Sequence, residues 1–186
     1  MTLRVVKIGG SLLTRELLAE ELRQWLERQT PAAHLLVMGG GDYANATRAL
    51  DARFGLGESL CPELCLELLG VTASILASLL PQARRVVDAA DWLATGNRPC
   101  SGTWIADPQL FLRLADDREL PHTWQVTSDS IAAWLAHVVR AEELVLLKAA
   151  APPSTDMRQL ALAGYVDPYF PKAAERLGAI RFETLG

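Results

Sequence analysis

The chain has 186 residues, a net charge of −4, a hydrophobic share of 50% and a charged share of 22%. Its mean hydropathy is +0.14 and its pI about 5.4. That composition supports one buried core, so residues 1–186 are expected to form a single domain; it excludes a disordered chain and argues against a nucleic-acid binder, which would be basic.

Leu3–Ile8 reads as a buried strand that ends at Gly9-Gly10. Thr14 is the expected cap of a helix running to Gln29, with Leu18, Leu22, Trp25 and Leu26 on one face. Residues 34–38 form a second buried strand, closed by Gly39-Gly40-Gly41. A helix over 43–54, a break over 55–57 and a long apolar helix over 62–80 follow. Residues 84–87 read as a short strand, and Asp88 as the cap of a helix to Leu93. The Gly-, Asn- and Pro-containing stretch 95–107 reads as a loop or hairpin, and 123–126 as a short strand. A helix over 128–139, a third buried strand over 144–147, a loop over 149–155, a helix over 171–177 and a closing strand over 179–182 complete the chain. Apolar strands alternating with helices predict a mainly parallel sheet covered on both faces.

The longest apolar runs, such as 75–80 and 144–147, are too short to cross a bilayer, and the first eight residues make a poor signal peptide. No membrane association and a cytoplasmic location are therefore expected. Cys61, Cys65 and Cys100, and His34, His122 and His137, lack ligand spacing. Free thiols and no protein-held metal are expected. Only Lys7, Lys148 and Lys172 among the 18 basic residues are lysines. Where arginine carries the general surface charge, a lysine ranks as a candidate point charge, although GC-rich coding gives the same bias.

Two segments place glycines at the carboxyl ends of strands, where open α/β sheets bind ligands. In Val5-Val6-Lys7-Ile8-Gly9-Gly10-Ser11 the glycines expose backbone N–H groups to an anion, the following helix adds its dipole, and Lys7 reaches the same place. The lysine precedes the glycines, so this is not a Walker A loop. Met38-Gly39-Gly40-Gly41-Asp42-Tyr43 repeats the arrangement one strand later. Two such nests and a lysine suit phosphoryl transfer, one nest for donor and one for acceptor. In Thr127-Ser128-Asp129-Ser130, Ser128 or Asp129 is either a helix cap or part of that crevice, with Asp129 fixing Lys7.

KxGGS, GGG and [ST]xD[ST]xA, in this order, resemble the amino-acid kinase superfamily, which includes acetylglutamate, glutamate, aspartate, uridylate and isopentenyl phosphate kinases. The resemblance implies a three-layer αβα sandwich with a mainly parallel central sheet, and the use of ATP and Mg2+. It implies that Lys7 and Asp129 are catalytic, that Gly9, Gly10, Ser11 and Ser128 lie at the donor phosphates, and that Gly39, Gly40, Gly41 and Asp42 lie at the acceptor. A late lysine of the family matches Lys172 in Phe170-Pro171-Lys172-Ala173-Ala174, although the doubled glycine that usually precedes it is missing. Lys148 stands where a TDVDG-like nucleotide loop is usual, without its aspartates, and is either a nucleotide contact or a solvated strand end. Homo-oligomers are common in the family, so a homo-oligomer binding a small-molecule substrate is expected.

His122 to Ser130 and Val166-Asp167-Pro168-Tyr169-Phe170 resemble the short kinases of methanofuran cofactor synthesis, which convert an aminomethylfuran phosphate to its diphosphate. Trp124, Asp167 and Phe170 are then substrate contacts or core. A phosphate acceptor is ionised near neutral pH, so transfer would need positioning and charge stabilisation rather than a general base. The alternatives are a superfamily kinase acting on a carboxylate or on a nucleotide or isoprenoid phosphate, and a nucleotide-binding regulatory module without turnover.

Overall fold

The computed structural model describes residues 2–57, 60–94, 99, 101–114 and 120–185. In chain order these form β1 (Leu3–Ile8), a 3-10 turn (Gly10–Thr14), α1 (Leu18–Glu27), β2 (Ala33–Met38), α2 (Gly41–Phe54), α3 (Leu60–Leu79), β3 (Arg84–Arg85), α4 (Ala89–Leu93) and β4 (Gly102–Ile105). Then follow α5 (Pro108–Leu112), α6 (Ser128–Val138), β5 (Glu143–Lys148), α7 (Met157–Leu162), α8 (Phe170–Ala173), a 3-10 turn (Ala174–Arg176) and β6 (Ile180–Thr184).

The strands make one sheet in the order β3-β4-β2-β1-β5-β6, and every pairing is parallel. Side chains alternate across it. On one face Val5, Leu35, Leu144 and Leu146 pack under α6 with Ile131, Leu135 and Phe170. On the other, Val6, Leu36, Val145 and Leu147 pack against Leu18, Leu22 and Trp25 of α1 and Leu76 of α3. Covering both faces gives the three-layer αβα sandwich. The chain leaves β1 toward β2 on one side and returns through β5 on the other, so the carboxyl end of β1 is the switch point of the sheet, where a crevice opens.

Several local expectations are corrected. Thr14 caps no α-helix; its Oγ1 donates to Ser11 O within the 3-10 turn, and α1 begins four residues later. Within 95–107, Gly102–Ile105 is a parallel strand between β2 and β3. β-branched Thr103 and Ile105 outweigh the glycine, while 95–98 and Cys100 lie outside the described residues. Residues 123–126 form a turn closed by Val126 N–H donating to Thr123 O, not a strand. Helices α5 and α7 were not anticipated; Asp107 and Asp156 cap them through side-chain hydrogen bonds.

At 20 residues α3 is long and apolar enough, by length and composition alone, to reach across a membrane. Counting uninterrupted apolar runs missed this because Glu63, Glu67, Thr72 and Ser74 break them. Here Cys61, Leu69, Thr72, Ala73 and Leu76 are buried.

Candidate functional site

The alternation that buries Val5 and Leu146 carries two lysines onto the same face. Lys7 pairs with Leu146 across the β1–β5 ladder, and Lys148 lies two residues further along β5. Helix α6 is laid over this face, and the carboxylate of its second residue, Asp129, drops between them. Lys7 Nζ is 2.8 Å from Asp129 Oδ1. Lys148 Nζ donates to Oδ1 at 3.0 Å, to Oδ2 at 2.8 Å and to the Tyr165 carbonyl at 2.7 Å. Lys7 and Asp129 are 4% and 5% exposed, which makes this ion cluster a buried one.

A buried ion pair contributes little net stability, because desolvation offsets the Coulomb gain. Burial opposes ionisation of Asp129, but Lys7 and Lys148 outweigh it and hold its carboxyl below the usual range. Burial, and then the charge of Lys7, push Lys148 down to about 8 against the pull of Asp129. Two ammoniums share one carboxylate, so the trio has an uncompensated positive charge at the crevice. Such a group in a cleft marks a candidate functional site, and its net charge suits an anion.

The glycine loops border the trio and touch each other. Gly9 N–H donates to Leu147 O and Gly39 N–H to Ile8 O. A Cβ on Gly10 would sit 2.1 Å from Gly41 N, and Gly41, at φ +54°, faces Gly10 O across 2.6 Å from any added Cβ. Only two glycines allow this contact. Gly10 leads into a five-residue 3-10 turn rather than into α1, so the expected helix dipole is absent from the first loop. The second loop does open a full helix, α2.

The trio and the loops line one cleft of about 870 Å³. Gly9, Gly10, Ser11, Gly40, Gly41, Ser128 and Lys148 all face it, and Gly39 packs behind against Gly10 and Ser128. Asp42 is exposed in the first turn of α2 and is not among the lining residues. Lys172 is exposed on α8, with its ammonium 5.5 Å from the centre of the Tyr169 ring, and also lies outside the lining. The second lysine at the trio is therefore Lys148. The expectation for Lys172 followed a segment lacking its glycines, whereas β5 runs beside β1 and delivers Lys148 directly. The parity of Leu144, Leu146 and Lys148 along the strand was the available signal.

Sequence reasoning missed Tyr165, which offers its carbonyl to Lys148 and has its ring 5.3 Å from the ammonium. Of the far wall it named only Trp124, as a substrate contact or core. There Arg48 lies 5.1 Å from the centre of the Trp124 ring, and Trp124 Nε1 donates to Asp51 Oδ2 at 2.8 Å. Glu63 and Glu67, one turn apart on α3, line the cleft with them. Among the described residues no group of three or more His, Cys, Asp or Glu side chains could hold a metal ion.

No protein-family model matches the chain. A curated [5-(aminomethyl)furan-3-yl]methyl phosphate kinase from Methanocaldococcus jannaschii is 25% identical over 147 residues, which are 77% of this chain and 64% of that relative. The chain thus matches less than two thirds of the relative's length. Uridylate kinase from Archaeoglobus fulgidus superposes with a TM-score of 0.62 at 18% identity, over 96% of this chain and 89% of that one. UMP kinase from Bacillus anthracis gives 0.63 at 12% identity, over 98% and 87%. Aspartate kinase from Synechocystis gives 0.61 at 13% identity, over 97% and 38%. At these identities the likeness to the solved structures is one of fold.

Proposed function

We propose that this chain, an amino-acid kinase by fold and by the order of its motifs, is an ATP-dependent kinase that transfers the γ-phosphoryl group to a small phosphate monoester. The observation that carries this reading is the pair of buried lysines on one carboxylate, lining the same cleft as two touching glycine loops. The lysines offset the charge on the equatorial oxygens of the migrating group, backbone N–H groups of the loops orient donor and acceptor, and Asp129 keeps both ammoniums aimed. The acceptor phosphate arrives ionised, so no base has to take its proton. Both Asp129 oxygens face lysines, so Mg2+ would be held by the donor phosphates and would neutralise their charge there. Purified protein is expected to release ADP from Mg-ATP only when an acceptor is added. ATP binding without ADP release against every acceptor would instead indicate a regulatory module.

The far wall supports a finer reading, an aminomethylfuran phosphate as acceptor. Arg48 suits its phosphate, the Trp124 face its flat ring, and Glu63 and Glu67 its ammonium group. Glu63→Gln/Glu67→Gln is expected to raise KM about 10-fold or more for the amine-bearing acceptor, on the order of one lost charge-assisted contact, and to leave KM for the analogue without the aminomethyl group unchanged. An equal rise for both acceptors would remove the glutamates from recognition. Preference for a carboxylate or nucleotide acceptor in the same assay would replace the furan.

The pH response follows from Lys148. With a pKa of about 8 in the free protein, it is charged at pH 7 and neutral at pH 9. Affinity for ATP is expected to fall as pH rises through 8, and binding at pH 9 to take up a proton. Calorimetry in buffers of different ionisation heat reads this directly. An affinity flat from pH 7 to 9.5, with no proton uptake, would contradict it.

A further inference from the structure

We infer that Asp167 is a positioning residue that clamps the first turn of α6 and thereby holds Asp129 between Lys7 and Lys148. The inference rests on the reading of that trio as the phosphoryl-transfer centre, and it assigns a task to a buried carboxylate that the mechanism above does not use.

Asp167 is 7% exposed. Its Oδ2 accepts from Thr127 N–H at 3.0 Å, Thr127 Oγ1 at 2.9 Å and Ser130 N–H at 2.9 Å. Its Oδ1 accepts from Ser130 Oγ. All four donors belong to the two residues that bracket Ser128 and Asp129. Helices of this length are usually capped by their own N-cap side chain, but Thr127 makes no such bond. The cap comes instead from 37 to 40 residues downstream.

The origin of that cap matters. Asp167 lies two residues after Tyr165, whose carbonyl accepts from Lys148, and Val166 between them is buried in the core under α6. One three-residue segment thus fixes Lys148 by a main-chain oxygen and Asp129 by the turn that carries it. A cap from within α6 would secure the helix end but leave it free to tilt against β5. The bonds from Asp167 set that tilt. The carboxylate accepts from all four partners; in an asparagine the NH2 would face Ser130 Oγ, which would have to turn from donor to acceptor, and the charge that strengthens the other three bonds would be lost.

The chain has just three lysines, Lys7, Lys148 and Lys172, so lysine-selective 13C labelling gives three Cε signals whose titration can be followed without any turnover. Lys148 faces Lys7 from β1, Asp129 from α6, and Tyr165 and Asp167 from the segment after α7. Asp167→Asn removes a negative charge and loosens Asp129. The titration midpoint of Lys148 is expected to move to lower pH. In the same variant kcat is expected to drop about 30-fold or more with KM for ATP within about threefold, the split that misplaced transition-state groups produce. Thr127→Val/Ser130→Ala keeps the charge and both backbone donors. It is expected to show smaller changes of the same sign, and it decides the matter should Asp167→Asn not fold.

Folded Asp167→Asn with the wild-type Lys148 midpoint and wild-type kcat would overturn the inference. So would a double variant that is wild-type by both measures when Asp167→Asn is unfolded. A lowered midpoint in Thr127→Val/Ser130→Ala, which keeps the Asp167 charge, in a chain that transfers phosphate to no acceptor would refute the kinase reading and leave the clamp standing.

Discussion

Alanine at Lys7 or at Lys148 is expected to lower kcat by about 100-fold or more, the size of losing one preorganised electrostatic donor and about 2.7 kcal/mol of barrier. Lys172→Ala is expected to change it by less than about twofold, since that side chain is exposed and outside the cleft. The two severe variants differ in their pH response. Lys7 is one of the causes that depress Lys148, so Lys7→Ala raises the pKa of the remaining lysine and carries the alkaline fall in kcat/KM above pH 8. Lys148→Ala abolishes that limb. Both leave Asp129 with one cation, so both are expected to fold. Steady-state ADP release by the three purified variants, at five or six pH values, checks all of this. Near-normal turnover in Lys7→Ala would remove the trio from the chemistry, and a severe loss in Lys172→Ala would return the second role to α8.

How much of this was legible in the sequence follows from what each residue depends on. The strands 3–8 and 34–38 and helix 128–139 came out within a residue or two, because each has a strong period and clear end signals. Lys7, the glycine loops and Asp129 lie at strand or helix ends, and their order along the chain suffices to bring them to one crevice. Lys148 was undecided because its role depends on β5 lying next to β1, a long-range pairing that the parity of Leu144, Leu146 and Lys148 does not itself reveal. Lys172 was favoured on a segment whose similarity was to another sequence pattern, not to a geometry. Asp167 read as a substrate contact or core because its partners are 37 to 40 residues away.

The same distinction explains the short elements. β4 is four residues long, and the free edge of β2 gives its β-branched residues a partner that the surrounding Gly-, Asn- and Pro-containing stretch does not reveal. By contrast α5 and α7 carried their own signals, an aspartate cap in each and a proline at the first position of α5. Composition gave no hint of the acceptor. The far wall joins residues of α2, α3 and the turn at 123–126, and its mixture of arginine, glutamate and tryptophan exists only once α2 and α3 are packed together.

Asp129→Asn tests whether the centre is held at a cost to the fold. Removing this carboxylate leaves Lys7 and Lys148 buried and facing each other without a counter-ion. A broken buried pair costs on the order of 3–5 kcal/mol, so Tm is expected to fall together with turnover, where a simple helix cap would cost about 1 kcal/mol. The pH dependence separates the causes. Losing Asp129 removes an influence that raises the pKa of Lys148, so the folded variant sheds that proton at lower pH than the wild type. The unfolded chain keeps it up to about 10.5. Wherever the unfolded state binds more protons, stability rises with pH. The variant therefore begins to recover at lower pH than the wild type, which gains in the same way only above about 8. The gap in Tm between the two proteins is expected to be wider at pH 5.5 than at pH 8.5. Thermal unfolding at those two pH values measures it. A gap that is small and constant would mean that Asp129 is not needed as a counter-ion, and that the lysines have other means of staying charged in the interior.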